Sequence, residues 1–228
     1  MADRVSLPKL LDRLEKHYGK LRFGAPTRVY ELLIYLNSGY PASDENCLKG
    51  FTALKREIGI APQEILAARE VELAKWLRLG GIVPELRAAR LKEIAGRTHS
   101  EFGGDLQRLL KQPLATAKRM LRQFPTIGDP GAERVLLFAG SAPVAAVPAN
   151  CLHVPLRLGF GREGRSYAST YRCVQGAFEA ALPKRSPALR RAYLLIRHHA
   201  LELCKRSAPR CIECPLVEQC AYFRRAAR

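Results

Sequence analysis

Four cysteines near the end of the chain have the types and spacing for metal chemistry: Cys204, Cys211, Cys214 and Cys220, separated by six, two and five residues. Four thiolates this close can hold a tetrahedral zinc ion or an iron–sulfur cluster. Structural zinc sites usually pair two short knuckles across a longer gap, and only Cys211 and Cys214 form a knuckle here. The spacing therefore leans toward a cluster and leaves zinc open. A disulfide pair or four free thiols is the bland alternative, weakened by the odd total of seven cysteines and by the lack of an apolar signal core after Met1-Ala2-Asp3-Arg4. Cys47, Cys151 and Cys173 read as small buried apolar residues.

A second chemical feature is basic. The chain has 228 residues, a formal net charge of +17 and a pI near 10. Such an excess repels itself unless it meets an anionic partner, and nucleic acid is the leading one. The bland reading is a solvated basic surface. Membrane binding is disfavoured, because no basic helix carries an aromatic-rich apolar face and no apolar run reaches eighteen residues. A cytoplasmic, DNA-associated protein is expected.

The basic residues cluster around one motif. Lys118, Arg119 and Arg122 lie on a helical stretch, Phe124-Pro125-Thr126-Ile127-Gly128-Asp129-Pro130-Gly131 forms a hairpin, and Arg134 lies on the helix that begins at Ala132. A glycine hairpin opening a helix lets backbone N–H groups approach a phosphate, with a favourable field from the helix end. Gly128 and Gly131 are the expected points of approach. An ordinary αα-turn is the alternative. Lys205, Arg206 and Arg210, between the first two cysteines, complete a set of seven expected phosphate contacts.

The elements that must position these groups are helical. Val5, Leu7, Leu10, Leu11 and Leu14 recur at helical spacing over residues 5–18, and Gly24-Ala25-Pro26-Thr27 breaks the pattern, with Thr27 the expected N-cap of the next helix. That helix, Val29 to Leu36, is too apolar for a surface element. It stops near Ser38-Gly39-Tyr40-Pro41, after which Ser43 and Asp44 cap another helix. Val144 to Val147 is the one β-like run, and its alanine and proline content makes it an irregular connector. The fold class is all-α, about ten helices, in a length that suits one large domain or two small ones.

The hairpin and the cysteines stand in the order and separation of the endonuclease III-like helix–hairpin–helix DNA glycosylases, and the chain resembles that family. Phe124 to Ala132 matches the family's Leu-Pro-Gly-Val-Gly-x-Lys-x-Ala hairpin, and the cysteine spacing is the family's own. Tyr30-Glu31-Leu32-Leu33-Ile34 is similar to its first core helix, Arg87-Ala88-x-x-Leu91 to its basic helix after the wedge loop, and His199 to a histidine before the first cysteine. The resemblance implies a [4Fe–4S] cluster on Cys204, Cys211, Cys214 and Cys220. It implies a six-helix lobe over 26–142 carrying the hairpin at about 114–140, and a cluster lobe from 1–25 plus 143–228. Double-stranded DNA, damaged, would lie in a cleft between them, bound by a monomer.

Three departures fall where the family's chemistry is expected. Its catalytic lysine falls on Pro130, its catalytic aspartate on Pro148, and the glutamine that fills the hole of a flipped base on Pro41; the first hairpin glycine is Thr126. A proline within the chain has no primary amine for a Schiff base, which argues against lyase chemistry. It has no charge to stabilise an oxocarbenium-like transition state either. Asp44 is the first carboxylate to consider as a substitute, against its role as a helix cap; Asp129 and Glu133 follow, against a turn and a first-turn acid. Asn150 and His153 are further catalytic candidates, against a structural histidine. Tyr40 is positioned to stack on an extruded base, against core packing. Two functions follow: a monofunctional glycosylase for bases with labile glycosidic bonds, or a non-catalytic lesion or structure binder. An iron–sulfur electron carrier attracted to nucleic acid is a distant third.

Overall fold

The computed structural model describes residues 6–41, 43–140 and 142–226. Val5 and the Met1-to-Arg4 opening lie outside the described residues. Among those described there are twelve α-helices: α1 (Leu7–Tyr18), α2 (Val29–Asn37), α3 (Asp44–Glu57), α4 (Pro62–Ala67), α5 (Glu70–Leu77), α6 (Pro84–Phe102), α7 (Leu114–Leu121), α8 (Asp129–Ala139), α9 (His153–Arg157), α10 (Tyr167–Ala181), α11 (Ser186–Glu202) and α12 (Ala221–Ala226). Five single-turn or short 3₁₀ segments join them. The number exceeds the ten expected partly because α4 and α5 are distinct: Ala68 and Arg69 both adopt extended backbone between them. No strand occurs among the described residues, and an isolated bridge pairs Tyr40 with Gly81.

The chain forms two compact units, one of residues 24–141 and one of 1–23 with 142–228. In the first, α2 is buried on nearly every side, through Val29, Leu32, Leu33, Ile34 and Tyr35. It packs against α3, α6 and α8, as a helix apolar all round must. Its start corrects the expectation at Thr27. The N-cap is Arg28, which provides no side-chain cap; instead the Val29 N–H donates to Gln107 Oε1 at 2.7 Å. A glutamine 78 residues away satisfies a donor that local sequence assigns to a hydroxyl. Ser43 does cap α3, accepting from the Asn46 N–H at 3.1 Å.

In the second unit, α1 buries a single stripe of Leu7, Leu10, Leu11 and Leu14 against α10 and α11. Arg191 of α11 fixes it further, 2.8 Å from Asp12 and 3.0 Å from Glu15. Val144 to Val147 is irregular and buried. Its backbone finds side-chain partners on α10: the Val147 N–H donates to Tyr171 Oη at 3.2 Å, and Gln175 Nε2 donates to the Ala145 carbonyl at 3.2 Å. Burial of an irregular segment is tolerable only with such partners. No helix among the described residues is long and apolar enough to cross a membrane.

Candidate metal centre and nucleic-acid interface

Helices α7 and α8 enclose the hairpin, but α8 begins at Asp129, earlier than the sequence suggests. Pro130 lies in the first turn, where its fixed φ suits a helix and its missing N–H costs nothing. Asp129 and Pro130 thus belong to the helix rather than to the turn. The turn itself keeps the geometry that glycine would give: Thr126 has a φ of 65°. A β-branched residue is strained there, and the Thr126 hydroxyl compensates by donating to Asn37 Oδ1 at 3.2 Å. Asn37 is itself buried and donates to the Leu33 carbonyl at 3.0 Å.

The seven expected phosphate contacts divide into two groups. Lys118 is bonded to Glu133, whose side chain is 3% exposed. Arg122 lies 3.3 Å from Asp129, Arg134 3.7 Å from Asp44, and Arg210 donates through Nε to Glu213 at 2.7 Å. Arg119, Lys205 and Arg206 are exposed, and their side chains have no ion pair among the described residues. The Lys118–Glu133 pair clips α7 to α8. Replacing Glu133 with glutamine is expected to destabilise the protein by about 1–3 kcal/mol, softened because Lys118 can turn to water. Urea unfolding of the two proteins measures it.

Tyr40 stands on a loop clamped from several directions. Its N–H donates to the Gly80 carbonyl at 2.9 Å, and its carbonyl accepts from the Ile82 N–H at 3.0 Å. Two glycines make the approach possible: a Cβ on Gly81, at φ 117°, would lie 1.9 Å from the Tyr40 oxygen, and one on Gly50 2.1 Å from the Ser38 oxygen. The fully buried Arg87 completes the clamp. It donates to the carbonyls of Ser38 (2.7 Å), Leu77 (2.8 Å), Gly81 (2.7 Å) and Ile82 (3.1 Å). The Tyr40 side chain remains 46% exposed. Asp44, the first residue of α3, lies near it in sequence and faces Arg134.

Cys204, Cys211, Cys214 and Cys220, four of the six cysteines in the second unit, line one cavity. All are free thiols. Among the described residues no three His, Cys, Asp or Glu side chains converge tightly enough to hold one ion. Apolar side chains, including Val154, Leu158, Leu203, Val217 and Phe223, complete the walls. Donors face the sulfurs. Arg157 Nη1 lies 3.3 Å from Cys204 Sγ, the Leu216 N–H donates to Cys214 Sγ at 3.4 Å, and His199 Nε2 lies 3.6 Å from Cys214 Sγ. Tyr18 Oη is 2.8 Å from His199 Nδ1 and sets the ring's orientation. Burial pushes the Cys214 thiol up to about 11. It raises Cys204 too, against the lowering pull of Arg157. Burial likewise brings His199 down to about 4, with His17, His198 and His153 adding to the effect. A neutral His199 with its proton on Nε2 donates to sulfur and accepts from Tyr18.

His153 belongs to this surround. Its Nε2 lies 2.7 Å from the Cys204 carbonyl, so that nitrogen must carry the proton. Its Nδ1 is buried with no hydrogen-bond partner among the described residues, and burial lowers its pKa. Asn150 is exposed on the short turn Ala149–Cys151, directly after the buried Pro148. The sequence reading passed over three organising residues: Arg87 as a clamp, Arg157 and Tyr18. Arg87 had a signal, since Ala88 and Leu91 place it beside the buried stripe of α6; the other two had none.

An all-helical fold with a glycine hairpin between two helices and a four-cysteine C-terminal loop defines the class: the chain resembles the endonuclease III-like helix–hairpin–helix DNA glycosylases and has their fold. A trapped covalent endonuclease III–DNA intermediate superposes with a TM-score of 0.76 at 22% identity, covering 97% of each chain. A thermostable thymine-DNA glycosylase gives 0.65 at 19% identity, over 96% of this chain and 94% of that one. In sequence, the chain is 25% identical over 162 residues to a thymine-DNA glycosylase of Aeropyrum pernix, which is 71% of this chain and 69% of the relative. No family model matches.

Proposed function

We propose that this protein binds damaged double-stranded DNA as a monomer and removes a base whose glycosidic bond is already labile, as a glycosylase without lyase activity. The observation that carries the reading is the hairpin of α7 and α8, kept in its turn geometry by Thr126 and Asn37 and joined in one chain to a four-cysteine cavity. Backbone N–H groups at Gly128 and Gly131 would grip a phosphate, and Arg119 in the first unit and Lys205 and Arg206 in the second would each contribute phosphate contacts. Tyr40, held by Arg87, would stack on an extruded base.

Cys204, Cys211, Cys214 and Cys220 would hold a [4Fe–4S] cluster, which supplies structural cross-linking of the 204–220 loop. A cavity lined by these four cysteines, with N–H donors aimed at the sulfurs of Cys204 and Cys214, supports a group held by thiolates, and the six, two and five spacing favours the cluster over zinc. The chemistry asks little of the protein. A cationic alkylated purine leaves with the C1′–N electron pair and needs no added proton. Water then forms the new C1′–O bond and gives up a proton, for which Asp44 is the first acceptor to test and His153 the second; Asn150 would act only by hydrogen-bonding the water. Pro130 at the second position of α8 offers no amine for a Schiff base.

Prolines at 41, 130 and 148 favour one other reading, a lesion or structure binder of the same fold without catalysis. Single-turnover incubation with duplexes carrying one alkylated, deaminated or oxidised base separates the two. Strand cleavage only after alkali is the expected result. No base release alongside salt-sensitive binding would establish the binder, and cleavage without alkali would overturn the reading of Pro130. Three unpaired cations alone set a minimum slope of log affinity against log salt of about −2.7; a shallower slope would remove them from the interface.

A further inference from the structure

The second unit carries a groove that shares Arg157 and Tyr222 with the cysteine cavity but includes no residue of the hairpin. It has a volume of about 970 Å³ and lies between residues 159–163 and α12. Four arginines line it, Arg157, Arg162, Arg224 and Arg225, against one acid, Glu163, for a net +3 from the charged lining residues.

Its two walls differ in character. The Gly159-to-Arg165 loop is held in one shape before any ligand arrives. Gly159 and Gly161 take φ values of 86° and 89°, and a Cβ on Gly161 would lie 2.9 Å from Val174 Cγ2, so this loop packs directly on α10. The Phe160 N–H donates to the Pro155 carbonyl at 2.8 Å, and the Gly164 N–H donates to Thr170 Oγ1 at 2.9 Å. Arg162 and Arg165 project from this ordered loop, exposed and with no ion pair among the described residues. On the facing wall, Arg224 is likewise exposed and unpaired, and Arg225 donates through Nε to the Ala221 carbonyl at 3.3 Å. At the floor, Arg157 stacks 4.4 Å from the Tyr222 ring and holds the carbonyls of Lys205 and Arg206 at 2.7 and 2.9 Å.

We propose that this groove is a second nucleic-acid contact, which takes the sugar–phosphate backbone of a strand through Arg162, Arg224 and Arg225. Arg162 projects from a loop whose backbone is already fixed, so ordering it on a phosphate costs less entropy, and the planar fork of each guanidinium matches phosphate oxygens. The groove is too large for one phosphate. Its concave floor cannot lie against a flat bilayer, and it presents no large exposed apolar side chain for an acyl boundary. The contact is independent of the hairpin, so its test must fail separately.

The full-length, cofactor-loaded protein with photoreactive benzoylphenylalanine at position 162, and a second preparation with it at position 119, would be irradiated with a 30-base-pair duplex or a 30-nucleotide single strand. Crosslinking from both positions is expected. Crosslinking from 119 alone overturns the groove and leaves the hairpin reading intact; crosslinking from 162 alone does the reverse; none from either overturns both. In parallel, the triple variant Arg162→Ser, Arg224→Ser, Arg225→Ser should reduce the magnitude of the salt slope by about 2.7. An unchanged slope would overturn the proposal. So would pelleting of the unaltered protein, but not the variant, with phosphatidylserine vesicles when DNA gives no crosslink from 162.

Discussion

Replacing Arg87 with methionine is expected to cost about 3–5 kcal/mol of stability, the range for removing one partner of a buried charged network. The guanidinium is 1% exposed and donates to four carbonyls, those of Ser38, Leu77, Gly81 and Ile82. Methionine preserves the apolar stem and removes every donor. Each stranded carbonyl then costs about 1–3 kcal/mol unless water reaches it, and the glycine contacts that bring Ser38, Gly50 and Gly81 together leave little room for water. Lysine should rescue poorly, because a compact ammonium has three donors and cannot span the planar fork. The expected signature in guanidinium unfolding is a large fall in midpoint with an unchanged slope. A loss under about 1 kcal/mol would show that the clamp is dispensable. Because the same carbonyls frame Tyr40, residual folded variant should also lose binding to lesion-containing duplex.

Replacing Cys214 with serine is expected to abolish binding of the proposed cluster. Cys214 is where a sulfur receives both the Leu216 N–H and the His199 ring, an arrangement suited to a thiolate. Without metal the thiol stays protonated at neutral pH, since burial holds its pKa at about 11. Ligation must therefore expel that proton, and acidification should favour release of the metal. The expected outcome is at least a tenfold loss of iron and of acid-labile sulfide, with disruption of the 204–220 loop. Stoichiometric zinc with no iron in the unaltered protein would replace the cluster by the mononuclear alternative. Retained iron in the serine variant would remove Cys214 from the ligand set.

The sequence disclosed what is local. The four cysteines fall within seventeen residues, so that they would share one loop was legible from spacing, and the hairpin is bounded by a helix on either side. The apolarity of α2 foretold its burial, and Ser43 its capping of α3. The boundary of α8 was misjudged because Asp129-Pro130-Gly131 has turn composition, although proline and an acid suit a first helical turn equally well.

What only the tertiary structure decided are pairings between distant residues. Gln107 rather than Thr27 meets the N–H of Val29, 78 positions away. Tyr18 orients His199 across 181 positions, and Arg157 reaches Cys204 across 47. Four of the seven basic residues assigned to phosphate are bound to acids, three of which, Asp44, Asp129 and Glu133, the sequence offered as catalytic carboxylates rather than as partners of those bases. Periodicity and capping act within a few residues and are written in sequence order. The partner of a buried donor is whichever acceptor the packed core brings near it, and that depends on the whole chain's arrangement.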